Sequence, residues 1–525
     1  MNIAIGPKPP QRRSIVMWGA AAAAAVISSY LLTLVLAAAC LAMPAVVIWN
    51  LAQGNTTALS TQLLLGIFGL VAGPSILWAL IPRKIPFEAP GATIDLSRER
   101  RLNEEIKSIA DALDEPMPTE VYLIADANAF VSQPGGGRKV LAIGLPLLQT
   151  LTVFELRALL AHEFAHFYSG DTRLGPWVYR GRATMVRVFE NLGKKSEVMG
   201  ILTRWAVVGV VYMALIWFLR TYWKLFLRLT QMISRRQEFR SDEIACYVAG
   251  SDSMASALEA VNRTSAVVRP YWQNVVFPLA ARGYHPQIAS SFGQFLAQPG
   301  VAKAAAEFLE KRVESTKSDP FDTHPPLGAR IAEARKIGVA APAADAEYGN
   351  RPAVSLLDDL SGLECELLRG LMPQLKTAEL RPLVWETSGA EVFVPMWRKE
   401  VEPFAEMLAT VTLRALPMLV KNPRILVERV TNPPGLLLNK EKKLVRALEI
   451  VRMALTLSLI DHGWLVHIGP GSCYLEHDGV QVVAANVVGS LKSGAMQETQ
   501  WDEFCTKMGV GDLPLGASTA QGSLV

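Results

Sequence analysis

Charge is scarce in this 525-residue chain. Only 19% of its residues are Asp, Glu, Lys or Arg, against about 25% in ordinary soluble domains. The 52 basic and 48 acidic residues nearly cancel, leaving +4. A surplus that small over such a length excludes a nucleic-acid partner as the expectation. Cysteine is scarce too. Cys40, Cys246, Cys365, Cys473 and Cys505 lie far apart and form no CxxC pair, which excludes a disulfide framework and a cysteine zinc ribbon. Internal repeats and low-complexity tracts are missing. Apolar residues are what the chain has in abundance: half of it is hydrophobic and the mean hydropathy is +0.24. That excludes a disordered chain and argues against a wholly soluble one. The length sets a soft prior of three to four folding units, with cores large enough to need no staples.

The run Ser14–Trp49 carries no charge. A bilayer crossing needs roughly 20 apolar residues, and the first half is alanine-rich, so the span is expected at about 26–49, bent at Pro44. Two crossings here would leave nothing for a turn. A secretory signal fits poorly, because the run is too long and no polar mature start follows it. Gln62–Ile81 is a second uncharged run, expected to span at 62–81. Lys8, Arg12 and Arg13 precede the pair, Arg83 and Lys84 follow it, and the residues between lack Lys and Arg. Positive flanks face the cytoplasm, so the sequence predicts a short cytoplasmic tail (1–13) and a transmembrane hairpin (14–82) with both ends cytoplasmic. A third apolar stretch, Trp205–Leu219, is bracketed by Arg204 and Arg220 and is short for a span.

Chemistry concentrates in Leu151–Tyr168. Thr152 and Glu155 have the spacing of a capping box, and Gly170 is placed to end the helix. Inside lies His162-Glu163-Phe164-Ala165-His166. On a helix, residues four apart share a face, so both imidazoles can reach one ion, with Glu163 beside them as general base for an attacking water. The bland alternative is a pair of core histidines beside an exposed glutamate. Seven histidines in 525 residues make chance occurrence of HExxH rare. A catalytic zinc needs a third protein ligand, and Ser169-Gly170-Asp171 supplies no histidine extension. The candidate is the helix-like Ser234–Gly250, where Glu238 and Asp242 lie four apart. Glu238 could bind the ion and Asp242 could hold a ligand imidazole, although carboxylates so spaced are commonly a solvated face.

With HExxH followed by Glu238–Asp242 as ExxxD, the chain resembles the membrane zinc endopeptidases that include HtpX-like proteases and CaaX prenyl proteases, the HtpX-like group more closely. Further elements match in order: a strand at Val121–Ile124, Asn128-Ala129-Phe130, an edge strand at Val140–Ile143, and Thr323-His324-Pro325-Pro326 with Arg330. The resemblance covers roughly residues 85–340. It implies one zinc ion held by His162, His166 and Glu238, with Glu163 activating water and passing a proton to the leaving amine. It implies Asp242 orienting a ligand histidine, and His324 and Arg330 near the site, His324 supporting the oxyanion. Asn128 would sit beside a substrate-binding edge strand. Taken alone, His324 reads as a turn residue before Pro-Pro.

Two ligands of one ion lie on one side of the membrane, so the chain between His162 and Glu238 crosses an even number of times. Four basic residues within 198–233 favour zero crossings, with that helix on the bilayer surface or against the domain. Beyond residue 340 the resemblance ends. Ala340–Asp345 reads as a boundary. Helices are expected at Val401–Leu419, Asn439–Ile460 and Trp501–Met508, and strands at Trp464–Ile468, Ser472–Glu476 and Val480–Val488. His467, Cys473 and His477 have no metal-ligand spacing. Cytoplasmic exposure predicts free thiols at Cys473 and Cys505.

The expectation is therefore an α-helical membrane protein. Residues 83–340 form a mainly α (α+β) zincin metalloprotease domain, 341–355 a linker, and 356–525 a smaller C-terminal α+β domain. By resemblance it is a zinc metalloendopeptidase acting on membrane or misfolded proteins, multi-pass in a bacterial inner membrane. Its partners are protein or peptide substrate and membrane lipid. A CaaX-type prenyl protease and a catalytically silent scaffold with a structural zinc are the alternatives. Low span count opposes the first, and the presence of Glu163 opposes the second.

Overall fold

A computed structural model describes residues 14–81, 87–135, 137–168, 171–193, 204–315, 324–342, 346–375, 379–430 and 439–515. The basic flanks Lys8, Arg12, Arg13, Arg83 and Lys84, together with Gly170 and Thr323, lie outside these residues. The chain is mostly helical and divides into two compact units. One comprises 1–268 and 303–373, the other 269–302 and 374–525.

In the first unit, the two charge-free runs form α1 (Ser14–Ala52) and α2 (Leu59–Leu80), each continuing through an internal proline. Small residues let the pair approach closely. A Cβ on Gly69 would lie 2.2 Å from the Cys40 carbonyl oxygen. Apolar side chains such as Leu31, Val35, Trp49, Leu70 and Trp78 face outward, as a lipid solvent permits.

The next pair is α6 (Asp171–Gly193) and α7 (Ala206–Ala249). Met185, Val188 and Leu192 of α6 and Val208, Ile216 and Leu219 of α7 join Ala37 and Cys40 of α1 and Phe68, Ala72 and Ile76 of α2 in one apolar cluster. Asn191 Nδ2 donates to Ser75 O at 3.0 Å and Tyr212 Oη donates to Leu192 O at 3.2 Å. Zero crossings placed the 198–233 stretch on the bilayer surface or against the protease domain. From 206 onward its inner face packs against α1, α2 and α6. Its outer face, with Val207, Val210, Met213 and Trp217, is as apolar and exposed as theirs. Among the described residues, three helices (α1, α2 and α7) are long and apolar enough to cross a membrane by length and composition.

A four-stranded sheet holds the middle of this unit, in the order β1-β2-β4-β3. Its strands are β1 (Ala92–Ile94), β2 (Glu120–Ile124), β3 (Ala129–Gly135) and β4 (Arg138–Gly144). β4 runs parallel to β2 and antiparallel to β3. The expected edge strand at 140–143 is therefore internal, which is why Val140–Ile143 are fully buried. The edge strand beside it is β3, directly after Asn128. From β4 the chain turns at Gly144 into α4 (Leu145–Thr150) and then α5 (Val153–Tyr168). Gly144 is pressed against the Asp126 carbonyl oxygen, 2.1 Å from where a Cβ would stand. Helix α3 (Arg100–Ala112) packs against α5 through Glu105 and Arg157, both with 0% side-chain exposure and 2.5 Å apart.

The expected boundary at 341–355 belongs to this unit. Val153 N donates to Arg351 O at 2.9 Å and Ala353 N donates to Leu151 O at 2.8 Å, so the segment is stitched to the start of α5. Gly349 lies against the Phe154 ring. Residues up to 373 follow, with Asp359 N donating to the buried Glu99 carboxylate at 3.1 Å. Alanine and proline read as punctuation in sequence, but paired backbone groups make a segment structural.

The second unit gathers residues 269–302, expected within the protease domain, with 374–525. Tyr284–His285 (β5) pairs in parallel with Arg381–Pro382 (β6). Trp385 Nε1 donates to Ser291 Oγ at 2.7 Å. Its main core surrounds helix Lys440–Asp461, capped by Asn439, and includes fully buried Leu413, Leu416, Leu455 and Leu459, with Trp501 1% exposed. An antiparallel meander follows: β7 (Leu465–Gly469), β8 (Ser472–His477) and β9 (Val480–Val482). The third strand stops at Val482, and Ala484–Ser493 is helical. The helix expected over 401–419 is broken into short turns, with Pro403 and Pro417 among the reasons. His467 stacks on Tyr474 and His477 on Trp464. All five cysteines are free thiols.

Candidate metal centre and active site

Helix α5 starts with the reciprocal cap its spacing implies. Thr152 N donates to Glu155 Oε2 at 2.8 Å, and Glu155 N donates to Thr152 Oγ1 at 3.2 Å. With the start fixed, His162 and His166 come one turn apart on one face, their ring centroids 4.9 Å apart. The C-terminal half of α7, beyond its apolar part, supplies Glu238, Ser241 and Asp242. Glu238 Oε2 lies 3.6 Å from His162 Nε2, and Oε1 lies 3.8 Å from His166 Nε2. One ligand atom from each of the three lies within 4.8 Å of the others.

The other nitrogen of each ring is also addressed. His162 Nδ1 stands 2.9 Å from Asp242 Oδ1, and Ser241 Oγ lies 3.3 Å from His166 Nδ1. Such contacts fix ring orientation and direct Nε2 inward. Two imidazoles and one carboxylate suit a zinc-type ion and leave a position open for water or substrate. The residues present therefore fit the metal that the sequence pattern implies.

Beside the two carboxylates lies Arg330 on α8 (Leu327–Ile337). Its Nε and Nη2 donate to the two oxygens of Asp242 at 2.8 and 2.7 Å. Its Nη1 is 3.3 Å from Glu238 Oε2. This fork brings Arg330, expected among the catalytic residues, against the carboxylates of both Asp242 and Glu238. His324 is exposed, and its Nδ1 lies 2.7 Å from Glu238 Oε2. Glu163 is half-buried on α5 between the two histidines. Asn128 is exposed, and its carbonyl accepts from Gly144 N at 2.9 Å, tying the start of the edge strand to the turn before α4.

Burial alone would raise the Glu238 carboxyl. The His324 hydrogen bond and the charges of His162 and Arg330 outweigh it and hold the group down at about 2. Asp242 follows the same pattern: burial opposes ionisation, but Arg330 and His162 win and the carboxyl is depressed. Burial would discharge Arg330, yet Asp242 and Glu238 keep it charged. Glu238, Asp242 and Arg330 are thus three buried groups that hold one another ionised at neutral pH.

Two participants escaped sequence reasoning. Ser241 sits three residues after Glu238, a spacing that places it near the same face, but a serine in a polar helix gives no signal by itself. Arg157, on the side of α5 away from the ligands, is buried against Glu105. A buried arginine cannot be told from an exposed one without knowing which face of the helix is covered.

The sequence profile described as peptidase family M48 matches residues 96–338. Protease HtpX of Xylella fastidiosa (strain 9a5c) is 30% identical over 222 residues, 41% of this chain and 76% of that protein. Protease HtpX of Xanthomonas axonopodis pv. citri (strain 306) is 26% identical over 314 residues, 57% of this chain and 95% of that protein. Protease HtpX of Pasteurella multocida (strain Pm70) is 26% identical over 239 residues, 42% and 80% respectively.

Proposed function

The chain belongs to peptidase family M48, with relatives named Protease HtpX, and from that premise we propose an integral-membrane, zinc-dependent endopeptidase for membrane or misfolded proteins. One observation carries the metal dependence: His162, His166 and Glu238 bring three ligand atoms within 4.8 Å while Glu163 stands beside them. A zinc ion there supplies Lewis acidity toward the scissile carbonyl.

The chain's own residues do the rest. Glu163 accepts the proton of the attacking water and returns it to the leaving amine. Asp242 and Ser241 keep the two imidazoles oriented, and Arg330 keeps Glu238 and Asp242 ionised and in place. His324, exposed beside the ligand carboxylate, supports the developing oxyanion. Edge strand β3 offers unpaired backbone groups to an extended peptide, with Asn128 at its start.

The topology proposed is multi-pass, in a bacterial inner membrane with the metal centre on the cytoplasmic side. His162 and Glu238 share one ion and so lie on one side of the bilayer, with α6 and α7 making no net crossing between them. The test is cleavage of casein by detergent-purified wild type and Glu163→Gln, with bound zinc measured in both. Wild-type cleavage, a loss of about 10²–10⁴-fold in the variant and equal zinc are expected. Absence of metal from both proteins would overturn the reading.

A further inference from the structure

Net charge is +4 for the whole chain, yet residues 421–452 contain eight Lys or Arg against three Glu. Residues 429–430 and 442–450 of this stretch contribute to a cleft of about 540 Å³ within the second unit, between the turn around Phe404 and helix Lys440–Asp461. The floor is apolar, with Phe404, Val430 and Ile450 buried and Val445 exposed. Four cations and two anions stand around it: Lys399, Arg429, Lys442, Arg446, Glu400 and Glu449. Arg446 takes both glutamates, pairing with Glu400 and, at 3.3 Å, with Glu449. Lys399, Arg429 and Lys442 are exposed and have no acidic partner among the described residues. The result is a concave site with an apolar base and three uncompensated positive charges at its rim.

We propose that this cleft binds the headgroup of an anionic phospholipid, the rim cations taking the phosphate and the floor the adjoining glycerol and acyl carbons. The volume suits a small ligand, and the combination of apolar base with basic rim is what a lipid presents in complement. The chain's own apolar helices keep this unit tethered to a bilayer, so such lipids are present at high effective concentration. Basic clusters close to a membrane are drawn to its anionic lipids. An acidic peptide shares the charge but lacks that tether.

The experiment uses the full chain in mild detergent, titrated with phosphatidylglycerol or phosphatidylcholine and read by native mass spectrometry. One phosphatidylglycerol per chain is expected to bind about ten-fold more tightly than phosphatidylcholine. The preference should disappear in Lys399→Gln/Arg429→Gln/Lys442→Gln and in Val445→Glu, which puts a negative charge on an exposed floor position. It should persist in Glu163→Gln, which separates it from proteolysis. Circular dichroism controls for folding. Equal binding of the two lipids, or a preference untouched in both cleft variants, overturns the proposal. Displacement by inorganic phosphate at equal concentration overturns the lipid source in favour of a soluble anion. Stronger binding of a glutamate-rich peptide overturns it in favour of a protein partner.

Discussion

Replacing Arg330 by Met tests whether the metal centre is assembled from behind. The substitution keeps an aliphatic side chain and removes two hydrogen bonds to Asp242 and one close contact to Glu238. Both carboxylates remain buried, at 1% and 5% exposure. Removing one partner of a buried ion pair costs about 3–5 kcal/mol, a large share of the roughly 5–15 kcal/mol that typically holds a domain folded. Loss of an orienting contact costs about 10–100-fold in metal affinity. Zinc affinity by chelator competition and the thermal midpoint of the metal-free protein are the two readouts. Both should fall, with activity following affinity. Arg330→Lys should recover only part, since an ammonium cannot make the fork to Asp242. Unchanged affinity and midpoint in Arg330→Met would refute the argument that this guanidinium positions the site.

The depressed carboxyls of Glu238 and Asp242 give a signed pH prediction. Groups whose pKa is lower folded than unfolded stabilise fully above the unfolded value, about 4. That contribution is lost as pH falls toward the folded values, so the metal-free protein should keep a level unfolding midpoint from neutrality to about pH 5 and lose it below; a midpoint flat to pH 3 would refute this. For the Glu105–Arg157 pair, Arg157→Met alone should destabilise by about 3–5 kcal/mol, while Arg157→Met with Glu105→Leu should recover most of it. Denaturant titration of the two variants decides; equal loss in both would mean the damage is one of packing.

The histidine pair of the group that could hold a metal was legible because its chemistry imposes a spacing. HExxH works only on a helix, and a helix fixes which residues meet. Glu238, the third member of that group, was legible by the same logic applied to Glu238 and Asp242, once the first motif had raised the question. Arg330 was legible as a neighbour, but not its fork to Asp242, since sequence order does not say which side chains a guanidinium meets. The edge strand was placed one strand late because Val140–Ile143 is the more apolar segment. Apolar character marks the buried strand, β4, whereas an edge strand such as β3 is more exposed. The 341–355 segment misled for a related reason. Composition reports what side chains prefer, and that segment is held by its backbone.

The second unit is assembled from pieces far apart in the chain, and this sets a timetable. Residues 269–302 leave the ribosome well before 374–525, the partners they need. Translation runs at about 5–20 residues per second, so the interval lasts on the order of ten seconds. During that time Tyr271, Trp272, Phe292 and Phe295, buried in the finished protein, have no cover from the later segment. His324 and Arg330 are synthesised within the same interval. The metal centre therefore has all its residues before the second unit has all of its own. A gene shortened after residue 373 would not shed a domain. It would leave an aromatic hairpin permanently waiting for the rest of its fold, and aggregation of such a product would say nothing about catalysis.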